Sequence, residues 1–448
     1  MHSHGSSFQT SLKQMRLPEF QIRSASEKAG FWSLCATLFL LSFPRPWSLY
    51  TLGAMLFTGL VIWMIDFGNI FRRFVKVWYI VIPSVIYFII HLISVLIQAD
   101  RLSVLEDRLM FLLVPLLGFP VFTSKYTGEK ISALFSGYVL GIIGISAFLL
   151  IRISWSIMSD FPGGISFFTW LNQDEVSYFS IGFSVLEHPT YLALKINWTL
   201  ILLLFFSRLT FFKPGYIFVI TILFSGTLLF VASKAGLTIW FIVVLVFLID
   251  NLKKGIRNKI LYSGVIAAFM LAAVSMSMRI QRISDYLSTT KSRISNENFE
   301  WKNLDQRTRE WYSAIQVIRE KPVFGTGLSK AEDRLVEEYV KNGFNDEAAL
   351  RLNAHNQFLQ AQLTFGISGT LSLLWMLLTP LFLGRKLKYP NLASAFVVMI
   401  SFFLVFESMF NRQWGIMFFI LFYFILTTGT GINSISHSKA QSIADEIN

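Results

Sequence analysis

Residues 79–97 read YIVIPSVIYFIIHLISVLI. No charged side chain interrupts this stretch, and a helix of it, rising 1.5 Å per residue, approaches the thickness of a hydrocarbon layer of about 30 Å. Residues 237–249 (LTIWFIVVLVFLI) and 402–410 (FFLVFESMF) belong to further runs of the same kind. The apolar residues are continuous rather than alternating, which fits spanning helices and not the strands of a barrel. Composition agrees, with 54% hydrophobic, 16% aromatic and only 15% charged residues in 448. The expected fold is all-α, a polytopic integral membrane protein.

Hydropathy places about twelve spans near 31–46, 48–68, 77–98, 109–124, 131–152, 189–207, 215–232, 234–250, 258–277, 357–383, 391–409 and 415–430. The first 29 residues are polar and mixed, so the first apolar run reads as a retained span, not a cleavable leader. The single cysteine, Cys35, excludes an internal disulfide framework. Basic residues then alternate between the connections. Lys13, Arg16, Arg23 and Lys28 of the N-terminal arm share a side with FRRFVK (71–76), SKYTGEK (124–130), RLTFFK (208–213), NLKKGIRNK (251–259) and GRKLK (384–388). The opposite short connections hold little net positive charge: Arg45, then Arg101 and Arg108 offset by Glu106 and Asp107, then Arg412. By the positive-inside rule both termini are cytoplasmic. The net charge of +12 thus sits in short loops and gives no reason to expect nucleic acid as a partner.

The expected organisation is a cytoplasmic arm (1–30), spans one to five (31–152), an aromatic outer loop (153–188), spans six to nine (189–277), a large outer loop (278–356), spans ten to twelve (357–430) and a cytoplasmic tail (431–448). In the aromatic loop, Phe179, Ile181, Phe183 and Val185 alternate with small polar residues, a period-2 pattern expected of a short extended segment. With Phe167, Phe168 and Trp170 the loop either lies at the headgroup level or acts as a lid. The large loop carries 13 Lys/Arg and 12 Asp/Glu. Within it, DQRTREWYSAIQVIREKPVFGTG (305–327) predicts an amphipathic helix with Trp311, Ala314, Ile315 and Ile318 as one stripe, stopped at Pro322, Gly325 and Gly327. AEDRLVEEYVKNG (331–343) predicts a second helix ended by Asn342 and Gly343.

His355 enters the tenth span in RLNAHNQFLQAQLTFGISG (351–369). If the helix is continuous, Arg351 lies one turn before it and its charge holds the imidazole neutral. The alternative is a helix-end residue capped by Asn353 and Asn356. GTGLSK (325–330) lacks the phosphate-loop spacing. The six histidines form no ligand cluster, so neither metal nor cofactor is expected, and His91 reads as a helix-packing group. Lys195 lies well inside the sixth span, where a lysine costs about 2.5–3.5 kcal/mol. It either snorkels outward or, with Lys234, Glu187 and His188 nearby, contributes to a pyrophosphate site.

Four motifs in order, HPTYLA (188–193), SKAGL (233–237), RTREWYSAIQVIREKPVFGTG (307–327) and AHNQFLQAQLTFGISG (354–369), resemble the O-antigen ligase family, which includes O-antigen polymerases and bacterial protein O-oligosaccharyltransferases. The resemblance covers about 185–370. It implies an enzyme of the bacterial inner membrane that moves a glycan from undecaprenyl pyrophosphate to a lipid A-core sugar, a growing glycan or a protein hydroxyl at the periplasmic face. It implies His355 as the catalytic residue, and Lys234 and Arg307 at positions where the family has arginines. Lys195 is the candidate for a further family arginine without a clear match, and Arg351 and His188 complete the candidate substrate-binding set. The rival class is a lipid-linked glycan transporter, against which the sequence has no inverted repeat and no paired broken spans.

Overall fold

The computed structural model describes residues 5–98, 101–124, 126–160, 179–254 and 305–429. Every regular element among them is helical. The expected ninth span, the cluster of Phe167, Phe168 and Trp170, and the tail after 429 lie outside the described residues.

In chain order the helices are α1 (Gly5–Phe39), α2 (Arg45–Ile65), α3 (Phe67–Gln98), α4 (Met110–Leu117), α5 (Phe119–Phe122), α6 (Gly128–Asp160), α7 (Pro189–Phe205), α8 (Pro214–Val231), α9 (Lys234–Lys254), α10 (Gln306–Glu320), α11 (Lys330–Lys341), α12 (Asn345–Ala349), α13 (Gln357–Leu383), α14 (Pro390–Phe406) and α15 (Gln413–Phe424). Five stretches are long and apolar enough to cross a membrane: α2, α3, α6, α8 and α13 with its short extension to Lys386. α7, α14 and α15 are shorter apolar helices. The chain is a multi-pass membrane protein whose described elements are all helical. His91 packs inside α3, its Nδ1 2.8 Å from the Tyr87 carbonyl.

The expected fourth span does not form one helix. Pro115 and Pro120 remove two backbone donors, and the chain divides into α4, of 8 residues, and α5, of 4. The Leu116 carbonyl, which an N–H at position 120 would have bonded, instead accepts from the Trp63 indole at 2.8 Å. The period-2 pattern at 179–185 is also not a strand. The segment is a series of turns whose Phe179 and Phe183 rings stack on Phe230, 5.3 and 5.4 Å away. The alternation reflects two aromatic side chains seated on one neighbour.

α10 and α11 form an outer layer with their own small core of Ala314, Val317, Leu335 and Tyr339. Asp305 caps α10, accepting from the Thr308 N–H at 3.3 Å, and α11 stops where expected, with Gly343 at φ 72°. The buried face of α10 is rotated from the expected stripe. Glu310, Ser313, Ala314 and Val317 are buried, whereas Ile315 is 39% exposed. A carboxylate has taken a place on the inner face, and it points to the site.

The GTG turn has a structural task. α13 breaks at Gly366, whose φ of 63° and ψ of −150° suit glycine alone. The carbonyls of Leu363 and Thr364 are freed there, and each accepts from the turn: Thr326 N–H to Leu363 at 2.8 Å and Gly327 N–H to Thr364 at 2.8 Å. Ile367 N–H returns a bond to the Val323 carbonyl at 3.1 Å. Gln98 at the end of α3 completes the clasp through Thr326 and Ser329. A Cβ at Gly366 would sit 2.1 Å from the Val323 oxygen. We expect Gly366→Ala to destabilise the protein by about 1–3 kcal/mol, read as a lower unfolding midpoint and faster proteolysis of the outer layer. An unchanged midpoint with unchanged cleavage would sink this account of the clasp.

Candidate active site

His355 sits two residues before α13, in a backbone bend that fixes it from both sides. Asn356 caps the helix, accepting from Phe358 N–H at 3.0 Å and Leu359 N–H at 3.1 Å. Asn353 Oδ1 accepts the His355 N–H at 2.7 Å, and Gln360 Oε1 accepts the Ala354 N–H at 3.2 Å. His355 itself has φ 41°, a left-handed conformation that costs a non-glycine residue of order 1–3 kcal/mol. The asparagines therefore satisfy the backbone and leave the ring free.

The ring points at two carboxylates. Nδ1 lies 3.3 Å from Glu407 Oε1, in ion-pair contact without hydrogen-bond alignment, and Nε2 lies 4.0 Å from Glu310 Oε1. Both acids are buried, at 5% and 0% exposure, where an unpaired carboxylate is expensive. Glu310 is served by Gln306 Nε2 at 2.9 Å and Arg307 Nη1 at 3.1 Å, yet burial keeps its carboxyl above the ordinary range against the pull of His355 and Arg307. Burial also pushes Glu407 up, but contact with His355, together with His188 and Arg307, outweighs it and leaves the carboxyl below its ordinary 4.5. Neither acid was singled out from sequence. Glu407 is a lone charge ending an apolar run, a signal that was available. Glu310 was hidden because the expected stripe of Trp311, Ala314, Ile315 and Ile318 leaves it off the apolar face.

The depressed Glu407 fixes a sign. Its ionised form is favoured by folding, so its contribution is full above the ordinary 4.5 and is lost as the pH falls through the lower folded value. We expect the wild type to unfold at a higher temperature than Glu407→Gln at neutral pH, with the gap closing in acid. A gap independent of pH would contradict the assignment.

His355 and Glu407 line a cavity of about 560 Å³ whose wall also includes Arg45, His188, Tyr191 and Arg412. His188 caps α7, its Nδ1 3.4 Å from the Thr190 N–H, with Pro189 at the first helical position. Burial lowers the His188 imidazole; Glu407 opposes this, while His355, Arg307 and Arg412 add to it. His188 and His355, far apart in sequence, thus meet at one wall.

The other expected site residues are placed differently. Lys195 is 0% exposed, and its Nζ lies 2.6 Å from Glu187 Oε2 and 2.7 Å from the Leu41 carbonyl oxygen. It neither snorkels nor lines the cavity: Glu187 lines it instead, and the lysine is its buried counter-ion. Lys234 opens α9 as an exposed residue outside the cavity wall. Arg307 is partly exposed and bound to Glu310. Arg351 does not lie one helical turn before His355. α12 ends at Ala349, Arg351 has φ 47°, and its guanidinium pairs with Glu332 and Asp333. The charged groups closest to the His355 ring are the two glutamates. Among the described residues no group of three or more His, Cys, Asp or Glu side chains is arranged to hold a metal.

An imidazole braced by buried carboxylates at the wall of a cavity within a helical bundle is suited to general acid–base chemistry. Residues 217–374 match the family model described as O-antigen ligase, a family associated with glycan-transferring enzymes. The match contains Lys234, Arg307, Glu310, Arg351 and His355. HPTYLA (188–193), Lys195, Glu407 and Arg412 lie outside it. No curated protein matches the chain.

Proposed function

We propose that the protein transfers a glycan from undecaprenyl pyrophosphate to an acceptor hydroxyl at the periplasmic face of the bacterial inner membrane, with lipid A-core as the acceptor. The observation that carries this reading is the His355 ring held between Glu407 and Glu310 beside the cavity, within the stretch that matches the family. Nε2, 4.0 Å from the nearer carboxylate oxygen, is the nitrogen open to a substrate proton. It removes the acceptor hydroxyl proton as that oxygen bonds to the anomeric carbon. The bond from that carbon to the diphosphate oxygen breaks, and its electron pair leaves on the diphosphate. The imidazolium that forms is balanced by Glu407 at Nδ1. A single displacement inverts the anomer. His188 lies at the same wall, and Arg307 acts on it and on Glu407 electrostatically, so both remain substrate-side groups in this proposal.

Lipopolysaccharide banding of a deletion strain tests the acceptor. Loss of all polymer from lipid A-core is expected. A single capped repeat would instead assign a polymerase, and normal bands a different acceptor such as a protein hydroxyl. In purified protein, transfer is expected to survive EDTA, since the proposed steps use only side chains of the chain. Transfer that stops on chelation would contradict them.

A further inference from the structure

We propose that Arg412, Ser408 and Tyr191, with the amino-terminal ends of α7 and α15, form the subsite that grips the diphosphate of the donor. This rests on the donor class proposed above but assigns the grip to residues outside the stretch that matches the family, in place of Lys234 and Lys195.

Three independent features meet there. Helices of 17 and 12 residues, α7 and α15, begin at the cavity wall, at His188 and Arg412 respectively. At α15 the first two N–H groups, of Gln413 and Trp414, precede the first intrahelical bonds, whereas at α7 Pro189 has no N–H and Thr190 N–H is bonded to His188, so α7 contributes only its dipole, which favours an anion. Two hydroxyls then line the same cavity without a hydrogen-bond partner among the described residues: Ser408 Oγ, on a residue 1% exposed, and Tyr191 Oη, on a residue 5% exposed. Buried hydroxyls are normally satisfied, and leaving one unpaired carries the full cost of its desolvation. Phosphate oxygens, which are acceptors only, suit both hydroxyls as donors.

The third feature is the charge census. Arg45 is tied to Asp107 at 2.8 Å, Lys195 to Glu187, Arg307 to Glu310, and Arg351 to Glu332 and Asp333. Arg412 has no carboxylate partner among the described residues, is exposed, and lines the cavity. Its planar fork suits two phosphate oxygens at once. The carboxylates of the wall do not defeat this. Glu187 is neutralised by Lys195 and Asp107 by Arg45, and Glu407 is turned to His355. The diphosphate therefore seats toward Ser408 and Arg412, with the sugar toward His355.

The test is equilibrium binding of undecaprenyl pyrophosphate to the full chain in detergent, with undecaprenyl monophosphate and inorganic pyrophosphate as comparison ligands. Arg412→Gln is expected to weaken the diphosphate lipid by about tenfold or more, and Ser408→Ala and Tyr191→Phe by roughly threefold to tenfold each. The two hydroxyl variants should unfold at or above the wild-type temperature, because each removes an orphaned polar group; a merely structural hydroxyl would lower it. Inorganic pyrophosphate should compete, and the monophosphate lipid should bind more weakly and respond less to Arg412→Gln. The subsite falls if all three variants bind as the wild type does, if pyrophosphate fails to compete, or if Lys234→Ala carries the loss while Arg412→Gln does not. A wild type that binds no diphosphate lipid overturns the donor reading itself, a different result from unchanged variants.

Discussion

His355→Ala is expected to lower glycan transfer by about 10²–10⁴-fold, the usual contribution of a positioned general base. Insertion and folding should survive, because the neighbours of His355 bond its backbone and not its ring: Asn353 accepts its N–H, and Asn356 caps α13. The left-handed backbone allows a second variant that separates chemistry from strain. His355→Gly removes the same ring but fits φ 41° better than alanine does, so it should be more stable than the alanine variant and equally inactive. Transfer that persists in both would end the assignment. Loss of transfer accompanied by unfolding in both would make His355 structural.

The second large effect concerns the ion pair inside the bundle. Lys195→Met leaves Glu187 buried without its cation, and Glu187→Gln leaves Lys195 likewise. Removing one partner of such a pair costs about 3–5 kcal/mol, while replacing both is often neutral. Each single variant should therefore lose most of its folded yield in detergent, and the double variant Glu187→Gln/Lys195→Met should recover it. Full additivity of the two losses would show that the two side chains act separately, contrary to their 2.6 Å contact.

The same pair shows where sequence reasoning stops. Hydropathy made the helical membrane fold legible, and local patterns were enough for the cap at Asn356, the end of α11 and the start of α10. These depend on neighbours a few residues away. Lys195 was visible as a costly residue, but its partner is eight residues back across a turn, and its other bond is to Leu41. Arg351 looked adjacent to His355 only on the assumption of continuous helix, and two left-handed residues break that assumption. Glu407 reaches the site because α14 ends where α13 begins, a tertiary fact. The family stretch held the histidine and Glu310, but most of the cavity wall, His188, Glu407 and Arg412 among it, lies outside that stretch.

The proposed reaction at His355 needs one protein and two substrates, with no gradient and no second compartment. Purified wild-type chain in detergent, given a lipid-linked glycan and a lipid A-core acceptor, should form the conjugate with the anomeric configuration inverted. A conjugate with retained configuration would contradict the single displacement. Absence of any conjugate, with glycan moving across vesicles instead, would make the protein a carrier.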